Sequence, residues 1–215
     1  MKAAGEFTQQ LWDNASKIYN EIINCEFVVG LANGTLAEDS FKHYLSQDVL
    51  YIQQDTKALA QMSQRAVLKE EKDFFLKMSV DCMEIENILH DEFLDHFQVQ
   101  EAKSQSYAFA NYSNYLLHQT HNAEYPVAVA ALLPCFWLYG KVGHHIIDNQ
   151  SPENKYQKFI DTYAGDEYVN YTRQFINILE TNAQNIDGNT RQDIIDAFIK
   201  SSRYELEVFK ESTDN

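Results

Sequence analysis

Breakers are scarce in this chain. Its 215 residues hold seven glycines and three prolines, too few to punctuate the many turns of a β-sandwich or barrel, so long helices are expected. Cysteine is equally thin. Cys25, Cys82 and Cys135 are an odd number at wide spacing, which excludes a disulfide framework, a zinc knuckle and a thioredoxin-like pair, and fits a reducing compartment. Positive charge is short as well. A net charge of −15 and a pI near 4.7 speak against a nucleic-acid partner, because phosphate binding needs clustered Lys and Arg. No uninterrupted apolar run reaches the roughly 18 residues that span a bilayer, and Met1 to Trp12 reads as amphipathic helix rather than a secretory leader. A cytoplasmic protein with no membrane partner is the expectation.

What is present is helical periodicity. Phe7, Leu11, Ala15, Ile18 and Ile22 mark a first helix ending near Asn24. Asn33-Gly34 signals a turn, and Thr35 with Glu38 fits a capping box that would start the next helix. That helix runs through Phe41, Tyr44, Leu45, Tyr51, Ile52, Leu59 and Met62. A third is expected from Lys69 to Phe97, with its seam at Phe75, Met78, Cys82, Leu89 and Phe93, and a fourth from Tyr107 to Thr120. Val127 to Tyr139 is apolar or aromatic throughout and carries no charge. A segment apolar on every side must be surrounded by protein, so it predicts a central helix, kinked at Pro134. His144-His145 reads as a solvated helix end. Further helices are expected up to Tyr163, from beyond Gly165 to Ala183, and from Thr190 onward. No repeat or linker divides the chain, so one all-α domain over residues 1–215 is predicted.

The informative positions are polar groups on apolar seams. Asp48 shares a helical face with Tyr44, Leu45, Tyr51 and Ile52, and Glu205 lies on a seam with Ile194, Phe198, Ser202 and Phe209. A buried carboxylate needs a partner or a shifted pKa. Each is therefore either a structural hydrogen-bonding group or part of a polar pocket. Cys135 follows Pro134 directly, which places a thiol beside a helix break. A buried cysteine is commonly an inert small hydrophobe; beside a break it also suits a cavity wall. Tyrosines 107, 112, 115, 139 and 163 supply rings with hydroxyls, suited to the core or to a flat aromatic ligand. Metal chemistry fits poorly. Glu86–His90 and Glu92–His96 stand at i, i+4, whereas a di-iron carboxylate bundle uses Glu-x-x-His. No metal and no cofactor are expected.

Four segments carry a family resemblance. Gly30 to Tyr51 (GLANGTLAEDSFKHYLSQDVLY), Leu132 to Gly143 (LLPCFWLYGKVG), Phe159 to Tyr168 (FIDTYAGDEY) and Ser202 to Phe209 (SRYELEVF) resemble, in order, the motifs of the TenA/thiaminase II family. The resemblance implies a haem-oxygenase-like helical bundle, usually a homotetramer. It also implies hydrolysis at the 5-methylene of a 2-methyl-4-aminopyrimidine, with aminomethyl aminopyrimidine preferred and thiamin cleaved more slowly. By motif, Cys135 takes the nucleophile's place and Glu205 the acid/base place. Asp48 takes that of the carboxylate holding the pyrimidine, with Tyr112 and Tyr163 as hydroxyls beside it and Tyr51 and Tyr139 flanking the ring. Where the family usually shows Phe-Trp after the terminal Glu, Val208 and Phe209 stand here. Two other readings belong to the same fold: a haem- or metal-dependent oxygenase, against which stands the absence of a histidine before His43, and a non-catalytic regulator.

Overall fold

In the computed structural model, residues 1–88, 93–184 and 186–214 are described, without the side chains of residues 86, 87, 163, 164, 166 and 167. The chain is 79% helical, with no strand among the described residues. Its helices are α1 (Glu6–Ile23), α2 (Glu26–Asn33), α3 (Glu38–Arg65), α4 (Lys69–Ile88), α5 (Tyr107–Asn122), α6 (Tyr125–Leu132), α7 (Pro134–Asn149), α8 (Gln157–Ile160), α9 (Asp166–Asn182) and α10 (Gly188–Glu211), with a 3-10 turn at Asp161–Ala164. The expected third helix is described as far as Ile88; residues 93–96 are helical again, and Leu89 of its predicted seam lies outside the described residues, as do His90 and Glu92.

Helix α2 is absent from the sequence reading, and it changes how α3 begins. The amides of Thr35 and Leu36 both turn back to the Gly30 carbonyl, at 2.8 and 3.0 Å. They satisfy the end of α2, and Thr35 does not cap α3. Ala37 occupies that N-cap, without a side-chain bond, and Glu38 is the first helical residue. The turn needs both of its glycines. Gly34 has a φ of 71°, in the left-handed region that suits a residue without Cβ. A Cβ on Gly30 would lie 3.1 Å from the Leu36 backbone. From the other side, buried Asn154 donates to the Leu31 and Ala32 carbonyls (2.8 and 2.9 Å), and the Tyr156 hydroxyl donates to Leu36 (2.7 Å). The clamp fixes the first turn of α3 and hence the register of the residues that follow.

The apolar segment lies at the centre, as its composition requires. Every residue from Val127 to Leu138 except Cys135 is buried, and α6 packs against α3, α5, α9 and α10. Three alanines, 128, 130 and 131, are fully buried there and let neighbouring helices approach closely. By length and composition Tyr125–Asn149 would pass as a membrane span, but 78% of its most apolar window is buried inside the fold. The predicted Pro134 kink takes a specific form: two helices end to end, with Leu133 between them still in right-handed helical geometry (φ −60°, ψ −35°). Proline is tolerated because it sits at the first position of α7, where an amide would have no intrahelical partner. His144 and His145 lie within α7 rather than beyond it.

Candidate active site

A cavity of about 290 Å³ opens among α3, α4, α5, α7, α10 and the 3-10 turn. Helix α3 contributes its acidic wall. Asp48, Tyr51, Ile52 and Asp55 all line it, because residues three, four and seven apart share one helical face. Asp48 makes no hydrogen bond among the described residues, and burial alone pushes its carboxyl up to about 7. Asp55 is more deeply enclosed, at 4% exposure; burial, with the nearby Asp48 charge adding to it, also raises its carboxyl to about 7. The buried Tyr51 hydroxyl faces the Cys135 thiol and the Tyr112 hydroxyl, and as a hydrogen-bonding neighbour it lowers the pKa of both; its ring lies 5.2 Å from that of Tyr112.

The break between α6 and α7 places the thiol. In a continuous helix the Phe136 amide would reach the Leu132 carbonyl. Here it donates to Leu133 at 3.1 Å, and the Cys135 thiol takes the Leu132 carbonyl at 2.9 Å. Sγ also stands 4.0 Å from Asp55 Oδ1. Burial pushes the thiol well above its ordinary pKa, the Asp55 and Glu205 charges push it further, and the Tyr51 hydroxyl pulls it partly back. At neutral pH it rests as a thiol.

Helices α5 and α10 close the far side. Tyr112 donates to Glu205 Oε1 at 2.8 Å, with both side chains buried. Burial raises Glu205 to about 8; the Tyr112 bond pulls it down, and Asp48 and Asp55 push it up. Tyr139 lines the cavity and is partly exposed. Tyr168 also lines it while its hydroxyl donates to the carbonyls of Phe136 (2.9 Å) and Cys135 (3.3 Å), holding the first turn of α7. Val208 faces the cavity. Phe209 instead packs behind the wall, stacked on Tyr44 with ring centres 5.7 Å apart.

The fold thus brings together Cys135, Glu205, Asp48, Tyr51, Tyr112 and Tyr139. Tyr163 falls in the 3-10 turn, next to the cavity-lining Thr162, but its side chain lies outside the described residues. Sequence reasoning missed Asp55. Its signal was available, since Asp55 follows Asp48 by seven residues and precedes buried Leu59 by four on one seam. No Lys, Arg or His lines the cavity among the described residues, and no group of three or more His, Cys, Asp and Glu is arranged there to hold a metal ion.

The chain that forms this cavity has similar proteins over nearly its whole length. Residues 12–215 match the TENA/THI-4/PQQC family. The chain belongs to that family. It is 30% identical over 213 residues to the thiamine biosynthesis multifunctional protein ThiED of Corynebacterium glutamicum, covering 99% of this chain but only 28% of that protein. It is 28% identical over 187 residues to the aminopyrimidine aminohydrolase of Bacillus subtilis, covering 85% of this chain and 79% of that one. Among solved structures, a TenA homologue from Pyrococcus furiosus superposes with a TM-score of 0.91 at 17% identity, over 96% of this chain and all of that one. A domain with a heme oxygenase-like fold from Shewanella denitrificans gives 0.73 at 10% identity, over 98% and 93%. The fold is the haem-oxygenase-like helical bundle.

Proposed function

We propose that this chain is a hydrolase of thiamin salvage, in which Cys135 opens the reaction that replaces the leaving group on the 5-methylene of a 4-amino-2-methylpyrimidine with hydroxyl. The observation that carries this reading is the meeting, in one cavity, of the partly exposed Cys135 thiol with the acids Asp48, Asp55 and Glu205, while Cys82 in the same lining is buried. The name borne by the Bacillus subtilis relative, aminopyrimidine aminohydrolase, gives the substrate class.

The chemistry suits the groups. Attack of Sγ on a ring carbon beside the substituted one forms a C–S bond and moves a ring electron pair onto a ring nitrogen, which takes a proton. That pair then returns and expels the exocyclic amine, which leaves with a proton from a neutral carboxylic acid. Water adds to the exposed methylene and gives its proton to the resulting carboxylate; sulfur then departs as the ring nitrogen gives its proton back to the group that supplied it, which restores the aromatic ring. Glu205, raised to about 8, is an acid at neutral pH and suits the leaving-group proton. Asp48, near 7, is poised to hold the aminopyrimidine edge. Tyr51, Tyr112 and Tyr139 supply aromatic walls for a flat ring, with Tyr163 beside them by motif. The reaction needs no metal or cofactor, and free Cys25, Cys82 and Cys135 suit a cytoplasmic setting. The test is a steady-state comparison of amine release from aminomethyl aminopyrimidine with thiazole release from thiamin. The aminomethyl compound should be the better substrate; turnover of neither would overturn the reading.

Self-association belongs to the same reading. Helix α4 leaves Leu76, Val80, Met83, Ile85 and Ile88 exposed. Leu76, Val80 and Met83 form a stripe at helical spacing, and Ile85 and Ile88 also line the cavity. An apolar stripe continuous with the rim of a site suits a second copy of the chain. Sedimentation should therefore give an oligomer, a tetramer by family resemblance, which Met83→Glu weakens; a strict monomer would refute this part.

A further inference from the structure

Asp55 has no place among the roles taken from the family motifs, yet among the described residues it is the acid within hydrogen-bonding reach of the sulfur. Its Oδ1 is 4.0 Å from Sγ, and no other group among the described residues donates to it. At 4% exposure such a carboxylate is costly to keep without a function. Glu205 is differently placed, its Oε1 already engaged by Tyr112 at 2.8 Å. The thiol at rest bonds the Leu132 carbonyl at 2.9 Å, an acceptor that cannot take its proton. Rotation about Cα–Cβ is the movement that would exchange this carbonyl for Asp55.

A base is needed there. A resting thiolate would face only negative or neutral groups: Asp48, Tyr51 and Asp55 on α3, Cys82 on α4, Tyr112 on α5 and Glu205 on α10, with the rings of Tyr44, Tyr139 and Tyr168 in the same lining and no cation among the described residues. Sulfur must therefore lose its proton as it attacks, to a neighbour that can return it.

We propose that Asp55 is the catalytic base for Cys135, accepting the thiol proton on Oδ1 as the C–S bond forms and returning it to Sγ as that bond breaks, which leaves Glu205 for the amine and the water. The proton count closes within the pair, and no further reactant is required. The inference rests on the hydrolase reading above for its substrate, but not for its test.

The test is the pH dependence of two rates in the full chain carrying Cys25→Ser and Cys82→Ser: alkylation of Cys135 by iodoacetamide, followed by mass spectrometry, and turnover of aminomethyl aminopyrimidine. With Asp55 present, both should rise through a limb near neutrality, as befits a thiol and carboxylate titrating as a pair. In Asp55→Asn turnover near neutral pH should fall about 100-fold or more, the usual loss of a general base. The neutral limb should vanish from both profiles, leaving rates that climb only in alkali. Asp55→Glu should keep the limb. Should Asp55→Asn not fold, Asp55→Ser must lose the limb and Asp55→Glu must retain it. A neutral limb unchanged in Asp55→Asn or Asp55→Ser would overturn the proposal, because a merely structural aspartate alters amplitude or stability and not the shape of the profile. Alkylation needs no pyrimidine. Loss of the limb without any pyrimidine turnover would therefore sink the hydrolase reading alone, and normal turnover with an unchanged limb would sink the role of Asp55 alone.

Discussion

Cys25 and Cys135 each stand at the start of a helix, and their surroundings are opposite. Cys25 is the N-cap of α2. Burial raises its thiol, but the amides of Val28 and Phe27 pull it down, as helix N-termini do for thiolates. It has donors and no room: its side chain belongs to the hydrophobic core and not to the cavity. Cys135, one residue into α7, has room and one lowering neighbour, the Tyr51 hydroxyl, in place of backbone amides. It borders the cavity, bonds a carbonyl and faces two acids that push its pKa up alongside burial. Amide donors to a thiol and access to a substrate are thus separated in this molecule. The cysteine suited to chemistry must be activated when substrate is present.

Cys135→Ser gives the largest break in that comparison. Turnover should fall by at least about 1,000-fold while binding of the pyrimidine, measured by calorimetry, changes little, because a hydroxyl of similar size is scarcely ionised near neutral pH. Adding Glu205→Gln should cost far less than the product of the two single losses, since both groups serve one sequence of steps. Cys25→Ser should keep full kcat. Substantial activity in Cys135→Ser, or loss in Cys25→Ser, would abolish the distinction.

A smaller effect sharpens it. The carboxyls of Asp48 and Glu205 are raised to about 7 and about 8, so between about pH 4, where free carboxylates titrate, and pH 8 the folded chain holds more protons than the unfolded one. The sign follows: their contribution to stability is fully present below the unfolded pKa and is lost as pH rises through the folded values. Asp48→Asn and Glu205→Gln should each flatten the fall in Tm across this window and match or exceed the parent Tm at pH 8, while lowering kcat. A Tm that drops at every pH would make these acids structural partners instead.

The central apolar segment and the seams of α1, α3 and α10 were legible because burial imposes a period on the sequence. The site residues on those seams were legible for the same reason, as polar exceptions. What escaped lacked contrast. Helix α2 begins at Cys25, an unusual cap, and runs through Val28, Val29 and Gly30, residues that disfavour helix when isolated; packing and the Asn154 clamp supply what propensity does not. Thr35 and Glu38 have the spacing of a capping box, but the amide geometry at the end of α2 claims the turn first. Asp55 follows Gln53 and Gln54, so its polarity does not stand out from its chain neighbours. The helix break was predicted from Pro134, but not that a one-residue slip in hydrogen bonding would offer the Leu132 carbonyl to the thiol.

The lining without a cation has a metabolic consequence. A phosphate ester of the pyrimidine would bring its negative charges among Asp48, Asp55 and Glu205 with no Lys, Arg or His in the described lining to receive them, a like-charge encounter inside a desolvated space. Under the hydrolase reading the cavity therefore admits the free alcohol and amine forms and turns away phosphorylated ones. On that reading the chain would act before any kinase has acted on the ring's side arm, and a primary-alcohol product would be the kind of group such a kinase takes next.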